Sequence, residues 1–406
     1  MTQMYDLLIK GHLVDPASGT DGPRDIAIKD GLIVEVAPDI PADRAATVLD
    51  AGGKGRYVVP GLIDMHTHVA RGANTKGLAL QSCDPDDVGV RSGVTTVVDC
   101  GSTGISQIGV FPAHIQPAAR TRIVCFVNAG SHAHSMTSAA DLAGLDDIDI
   151  GAVTRGAAAN PGLISGVKLR LVGAIADERG ADMVRGAKEI ARELGVPLMV
   201  HIGDPMGARR AGSAALPEVT RYLLGALEPG DILTHLCTAN VGGVSGMEKA
   251  AAAAGSNGVV LDSALGRANF GYRVAERQAQ IGLHPDTISS DLTAMGQNFH
   301  SLVECMAKFL AIGYSFQDVV RMTTSAAAAA LGMADRLGAV AAGREADLTI
   351  LDLVPGEFSF TDSLGDTFTG RHGIVPVHTL RAGEPIAPRW GTHPWGWLPA
   401  TAGAGA

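Results

Sequence analysis

The chain has 406 residues, 46% of them apolar and 18% charged, with a formal net charge of -10 and a pI near 5.7. That apolar content excludes a disordered chain, and the acidity argues against a nucleic-acid or anionic-membrane surface. Five scattered cysteines (Cys83, Cys100, Cys125, Cys237, Cys305) with no CxxC pair fit free thiols in a reducing compartment better than a disulfide framework.

The amino terminus, MTQMYDLLIKG, lacks a basic region followed by an apolar stretch. No run approaches the ~18 apolar residues of a membrane span, so a soluble, cytoplasmic protein is expected. Residues 1–57 read as short strands split by turn signals: YDLLIKGHLVD, DIAIKDGLIVEVAP and ATVLDAGGK, with KDG as a strong turn cue. Residues 58–336 alternate differently. The apolar runs RYVVPGLIDMH, TTVVDC, RIVCFVNAG, ISGVKLRLVG, VPLMVHIG, DILTHL, GVVLDS and DTISSD are separated by helix candidates. ADMVRGAKEIARELG is one of these, stopping at Gly195 as a helix C-terminus does; SGMEKAAAAAGSNG is another. Near-continuous apolar strands alternating with helices predict parallel pairing, and eight such units predict a closed (β/α)8 barrel of the TIM type. After residue 337 the strand texture returns in LTILDLVP, EFSF and GRHGIVPVHTLRAGEPI. Segments 1–57 and 337–390 are therefore expected to build one composite β-sandwich, and 391–406 a loose tail.

In such a barrel the reactive residues stand at the carboxyl ends of the strands. The first strand ends in Asp64, His66 and His68, and residues at i and i+2 share a face, so both rings can converge on one point. The fourth strand carries Lys168, the fifth ends in His201, the sixth in His235 and the eighth in Asp291. Each alone has an ordinary reading: a hydrogen-bonded histidine, a helix-capping aspartate, a rim lysine. Together, at one end of separate strands, they predict a metal site. Arg170 faces the same side as Lys168 and can hold a substrate carboxylate, although a solvated rim arginine fits equally. Arg267 and Asn269, in LDSALGRANFGYR, are further polar candidates. His132 and His134, in NAGSHAHS, read as a loop that touches substrate rather than metal. Cys100 reads as a small buried residue, and Asp99 beside it as structural.

PGLIDMHTH, followed in order by Lys168, His201, His235 and Asp291, resembles the amidohydrolase superfamily of metal-dependent hydrolases across nearly the whole chain. SGVTTVVDCGS and PDTISSDL resemble its deacetylase-like branch, near D-aminoacylases, dihydroorotases and hydantoinases. The resemblance implies two divalent metal ions, zinc being the expected metal. His66, His68 and Asp291 would hold the first, His201 and His235 the second, and Lys168 would bridge both as a carbamate. Burial lowers a lysine pKa and so supplies the neutral amine that adds carbon dioxide. The implied chemistry is attack on a carbonyl by a bridging hydroxide, with Asp291 as general base and then acid, and Asp64 as support for a ligand. The loop after the seventh strand departs from the histidine and glycines expected in deacetylase-like relatives, and THLCTAN also departs from their phrasing. The expected substrate is an N-acyl amino acid or an acylated 2-hydroxy acid. The alternatives are a cyclic amide, of the dihydroorotase or hydantoinase type, or a non-catalytic scaffold, against which the filled ligand positions argue. Relatives are commonly multimeric, so a homo-oligomer is expected.

Overall fold

Two eight-stranded sheets hold the named strands of the computed structural model, which describes residues 4–71, 82–133, 142, 144–294 and 301–389. The amino-terminal strands are Tyr5–Asp15 (β1), Thr20–Lys29 (β2), Leu32–Ala37 (β3), Ala45–Ala51 (β4) and Arg56–Pro60 (β5). Between β2 and β3, Asp30 and Gly31 adopt φ of 51° and 76°, the left-handed pair of a two-residue hairpin turn that Asp-Gly favours. The barrel strands follow: Leu62–Thr67 (β6), Val94–Cys100 (β7), Arg122–Asn128 (β8), Ile164–Arg170 (β9), Leu198–His201 (β10), Ile232–Thr234 (β11), Val260–Ala264 (β12) and Thr287–Ser289 (β13). Leu348–Thr361 (β14), Thr367–Arg381 (β15) and Glu384–Ile386 (β16) return to the first sheet, whose order is β16-β15-β14-β5-β1-β2-β3 with β4 paired to β1. Leu7, Ile9 and Ile26 pack in one core with Leu348, Ile350 and Leu380, so the two ends of the chain share an apolar interior.

Strands β6 to β13 pair in chain order, every neighbour parallel. Their residues are buried almost without interruption, as a sheet covered on both faces requires. The seam between β13 and β6 is closed at its carboxyl end: the Asp291 N–H donates to the His66 carbonyl at 2.6 Å, and the His68 N–H to the Leu292 carbonyl at 3.1 Å. Asp64 reinforces this seam by accepting the His66 and Ser290 backbone N–H groups.

RYVVPGLIDMH is two strands rather than one. RYVVP lies in the terminal sheet, against β14, and only LIDMHT enters the barrel. Gly61 marks the change: a Cβ there would stand 2.4 Å from Thr95 Oγ1, so only glycine lets the chain pass. The helix ending before Gly195 spans Gly173–Leu194, longer than its periodicity indicates, with a break at Arg179, where φ is -130°. Gly195 itself is left-handed, with φ 65°. Among the described residues no helix is long and apolar enough to cross a membrane.

Candidate metal centre

The chain leaves β6 with His66 and His68 pointing to the same side, where they meet Asp291 arriving from β13. One ligand atom from each of these three residues lies within 4.8 Å of the others. Asp291 Oδ1 is 3.4 Å from His66 Nε2 and 3.3 Å from His68 Nε2. His235 follows β11 and brings its Nε2 to 4.0 Å from Asp291 Oδ2. That Nε2 is buried and has no hydrogen-bond partner among the described residues, a costly state for an imidazole nitrogen unless another group takes it up. The His201 ring packs on the His235 ring with centroids 4.1 Å apart. Lys168, fully buried on β9, sets its Nζ 2.9 Å from His66 Nε2. The donor set of imidazole nitrogens and a carboxylate, with an orphaned Nε2 among them, fits a divalent transition metal.

Two candidates have left-handed backbones that only a few per cent of non-glycine residues adopt: His235 at φ 71° and Asp291 at φ 52°. Strain of this kind is retained where the surroundings over-determine it, as at functional sites.

The electrostatics disfavour the protonated forms of His66, His201, His235 and Lys168. Burial, reinforced by neighbouring cationic groups, holds His66 and His201 well below the ordinary imidazole range. Burial likewise lowers His235 to about 4. It also drives Lys168 below the usual lysine range, toward the free amine. Burial pushes the Asp291 carboxyl up, but the neighbouring His68, His235 and Lys168 outweigh it and leave it low. For Asp64 burial prevails over its hydrogen bonds and raises the carboxyl to about 7. Burial also raises Asp99 and Asp262, against the pull of the groups that donate to them.

A pocket of about 130 Å3 opens over these groups, lined by His66, His68, His201, Asp291, Arg170, Arg267 and Asn269 among others. His132 is not among the residues that line it; it stands at the surface with Nδ1 2.9 Å from Asp147 Oδ1. His134 lies outside the described residues. Cys100 sits in an apolar cluster with Met65, Phe126 and Met199, its thiol donating to the Met65 carbonyl. Asp64 accepts from the His66 and Ser290 backbone N–H groups and from the Ser290 hydroxyl rather than from an imidazole.

Other residues of the site carry no sequence motif. Thr234 Oγ1 and Ser102 Oγ contact Nδ1 of His66 and His68 at 3.0 and 2.9 Å. Gly101 and Gly266, each left-handed, follow β7 and β12; a Cβ would come 2.7 Å from Lys168 Cβ at the first and 2.3 Å from Asp291 Oδ2 at the second. The only signal was position, a small residue at or just past the end of a barrel strand.

A parallel barrel with histidines, a lysine and an aspartate gathered at its carboxyl end defines a class of barrel enzymes whose chemistry is done at that face. Within it, this chain belongs to the amidohydrolase family, whose profile matches residues 57–386. It is 32% identical over 384 residues to a deacetylase of Brucella anthropi, covering 90% of each chain. A crystal structure of an adenine deaminase superposes with a TM-score of 0.81 at 30% identity, over 94% of this chain and 100% of that one. A crystal structure of a dihydroorotase gives 0.79 at 30% identity, over 94% and 99%.

Proposed function

We propose that this member of the amidohydrolase family is a metal-dependent deacylase, acting on an N-acyl amino acid or an O-acyl 2-hydroxy acid. The observation that carries the metal reading is the convergence of His66, His68 and Asp291 within 4.8 Å, beside His235, whose buried Nε2 has no hydrogen-bond partner among the described residues. In this reading His66, His68 and Asp291 would hold one divalent ion, zinc by preference. His201 and His235 would hold a second, and Lys168, as its carbamate, would be a ligand to both. Bound metal ions of this kind supply a Lewis acid for the carbonyl oxygen and a water that ionises near neutral pH.

The chain's own residues do the rest. Asp291, ionised at neutral pH, accepts the proton of the attacking water and returns it to the departing amine or alkoxide. Arg170 and Arg267 line the pocket with positive charge and receive the carboxylate that both substrate types carry. Asn269 Oδ1 accepts from Asn240 Nδ2 at 3.1 Å, which fixes the amide that Asn269 presents to the pocket. The deacetylase of Brucella anthropi supports the acyl reading.

The likeness to a dihydroorotase favours a second reading, hydrolysis of a cyclic amide. The test is a screen of the zinc- and bicarbonate-treated protein against N-acetyl amino acids, O-acetyl 2-hydroxy acids, hydantoins and dihydropyrimidines. Turnover of the acyl compounds is expected; activity confined to the rings overturns the deacylase reading. Failure to bind a transition metal under these conditions would leave only a non-catalytic scaffold.

A further inference from the structure

Two buried carboxylates stand behind the histidines of β6, and neither touches an imidazole directly. Asp262 Oδ2 accepts the Thr234 hydroxyl at 2.6 Å, and the carboxylate also accepts from Thr287 Oγ1 at 2.7 Å and Ser289 Oγ at 2.8 and 2.9 Å. Asp99 accepts the Val69 N–H at 2.8 Å, the Ser102 N–H at 2.9 Å and the Ser102 hydroxyl at 2.7 Å. A hydroxyl has one proton, and a carboxylate can only accept. With their protons given to Asp262 and Asp99, Thr234 and Ser102 have only lone pairs to offer the histidine Nδ1 atoms, 3.0 and 2.9 Å away. Each Nδ1 must then carry the imidazole proton, and each Nε2 is left as a bare lone pair aimed at Asp291. The other side of His66 is compatible: Lys168 Nζ, which carries N–H donors whether charged or neutral, stands 2.9 Å from Nε2.

We infer that Asp262–Thr234–His66 and Asp99–Ser102–His68 are a matched pair of hydroxyl-bridged relays that fix the tautomer of both histidines, presenting their Nε2 lone pairs to a divalent cation. Asp262, Thr234, Asp99 and Ser102 are thus positioning residues. The relays also raise imidazole basicity, because each Nδ1 proton points through a hydroxyl toward a negative charge. His235 reaches the same state by a shorter route, its Nδ1 donating to the Ala264 carbonyl at 2.9 Å. The inference rests on the metal reading of the site, but not on which bond the enzyme cleaves.

The experiment uses the full chain labelled with 15N-histidine, metal-free and near neutral pH, with no substrate present. Signals are assigned through single His→Gln variants. His66 and His68 are expected to show the proton on Nδ1. Thr234→Val keeps the shape of the side chain and removes the hydroxyl; it should release the His66 signal to the other tautomer or to a mixture. In chelator competition its zinc affinity should fall about 10- to 100-fold, the range for losing a group that orients a metal ligand. Ser102→Ala should do the same at His68, and Thr234→Ser, which restores the hydroxyl, should recover most of the loss. A merely structural role would not give that rescue, nor would it move a tautomer. A proton on Nε2 of His66 in the wild type, or unchanged zinc affinity in both Thr234→Val and Ser102→Ala, overturns the inference. Failure of the deacylase reading shows instead in the substrate screen, with tautomers and zinc affinity intact.

Discussion

Gly266 lies so close to Asp291 that a Cβ on it would stand 2.3 Å from the carboxylate Oδ2. The two residues come from successive strand ends, and both hold left-handed backbones, at φ 57° and 52°. Gly266→Ala should therefore act twice, by strain of about 1 kcal/mol at a positive φ and by pushing the carboxylate off its position. Gly282→Ala is the control, since Gly282 has φ 77° and nothing within 4 Å of its Cβ position. Both variants should unfold at slightly lower urea concentration. Only Gly266→Ala should lose bound metal and at least about 100-fold in kcat/KM, the scale of removing a positioned general base. Full metal content in Gly266→Ala would show that Asp291 tolerates displacement and is no ligand.

Lys168 gives the second prediction. Its burial holds it toward the neutral amine, and Gly101 leaves room beside its stem. Lys168→Ala should lose most of its metal and about 100-fold or more in activity. Short carboxylic acids, which replace the oxygens of a carbamate, should restore part of both. In the wild type, bicarbonate should hasten metal uptake. Metal content that does not change in Lys168→Ala would move the bridge elsewhere and remove the carbamate.

The barrel was legible in the sequence because parallel strands covered on both faces read as plain apolar runs, and His66, His68, Lys168, His201, His235 and Asp291 each lie near or just past the carboxyl end of one. What could not be read was whatever depends on contacts between strands far apart in the chain. Thr234 and Ser102 look like ordinary polar residues until the fold brings them within 3.0 Å of His66 and His68. RYVVPGLIDMH misled because periodicity cannot show that consecutive apolar residues join different sheets; only the close approach of Thr95 explains the break at Gly61. Asp64 lies on the same strand as His66, yet its carboxylate is taken up by the His66 N–H and by the backbone N–H and hydroxyl of Ser290, the residue after β13.

The two arginines of the pocket yield the third prediction. Arg170→Met and Arg267→Met each remove a guanidinium from the pocket that holds the metal candidates. A hydrogen bond to a charged group is worth about 1.5–3 kcal/mol, so kcat/KM for a carboxylate-bearing acyl substrate should fall about 10- to 100-fold in at least one variant, chiefly through KM. The same compound with its carboxylate capped as an amide should be hydrolysed nearly as well by the variant as by the wild type. Equal losses on both compounds would mean that the arginines shape the pocket rather than bind charge.

Glu345 supplies a prediction about pH that is independent of the metal centre. It accepts from Arg122 at the start of β8, from Arg336 at 2.9 Å and from Arg381 of β15 at 3.2 Å, so it ties the barrel to the terminal sheet. Burial pushes its carboxyl up, but the Arg122 and Arg336 hydrogen bonds and the charges of Arg122 and Arg381 win and bring it to about 2. A carboxyl lower in the folded than in the unfolded chain binds fewer protons when folded, so stability rises with pH across that interval. The contribution is full above the unfolded value near 4.5 and is lost as pH falls toward about 2. The side chain is 25% exposed, which screens the network and limits its worth. Glu345→Gln should thus cost about 1–2 kcal/mol in urea unfolding near neutral pH. The gap between variant and wild type should narrow as unfolding is repeated at successively lower pH below 4.5. A gap that stays constant with pH would assign the loss to packing, and a gap that widens in acid would reverse the sign and refute the ion-pair account.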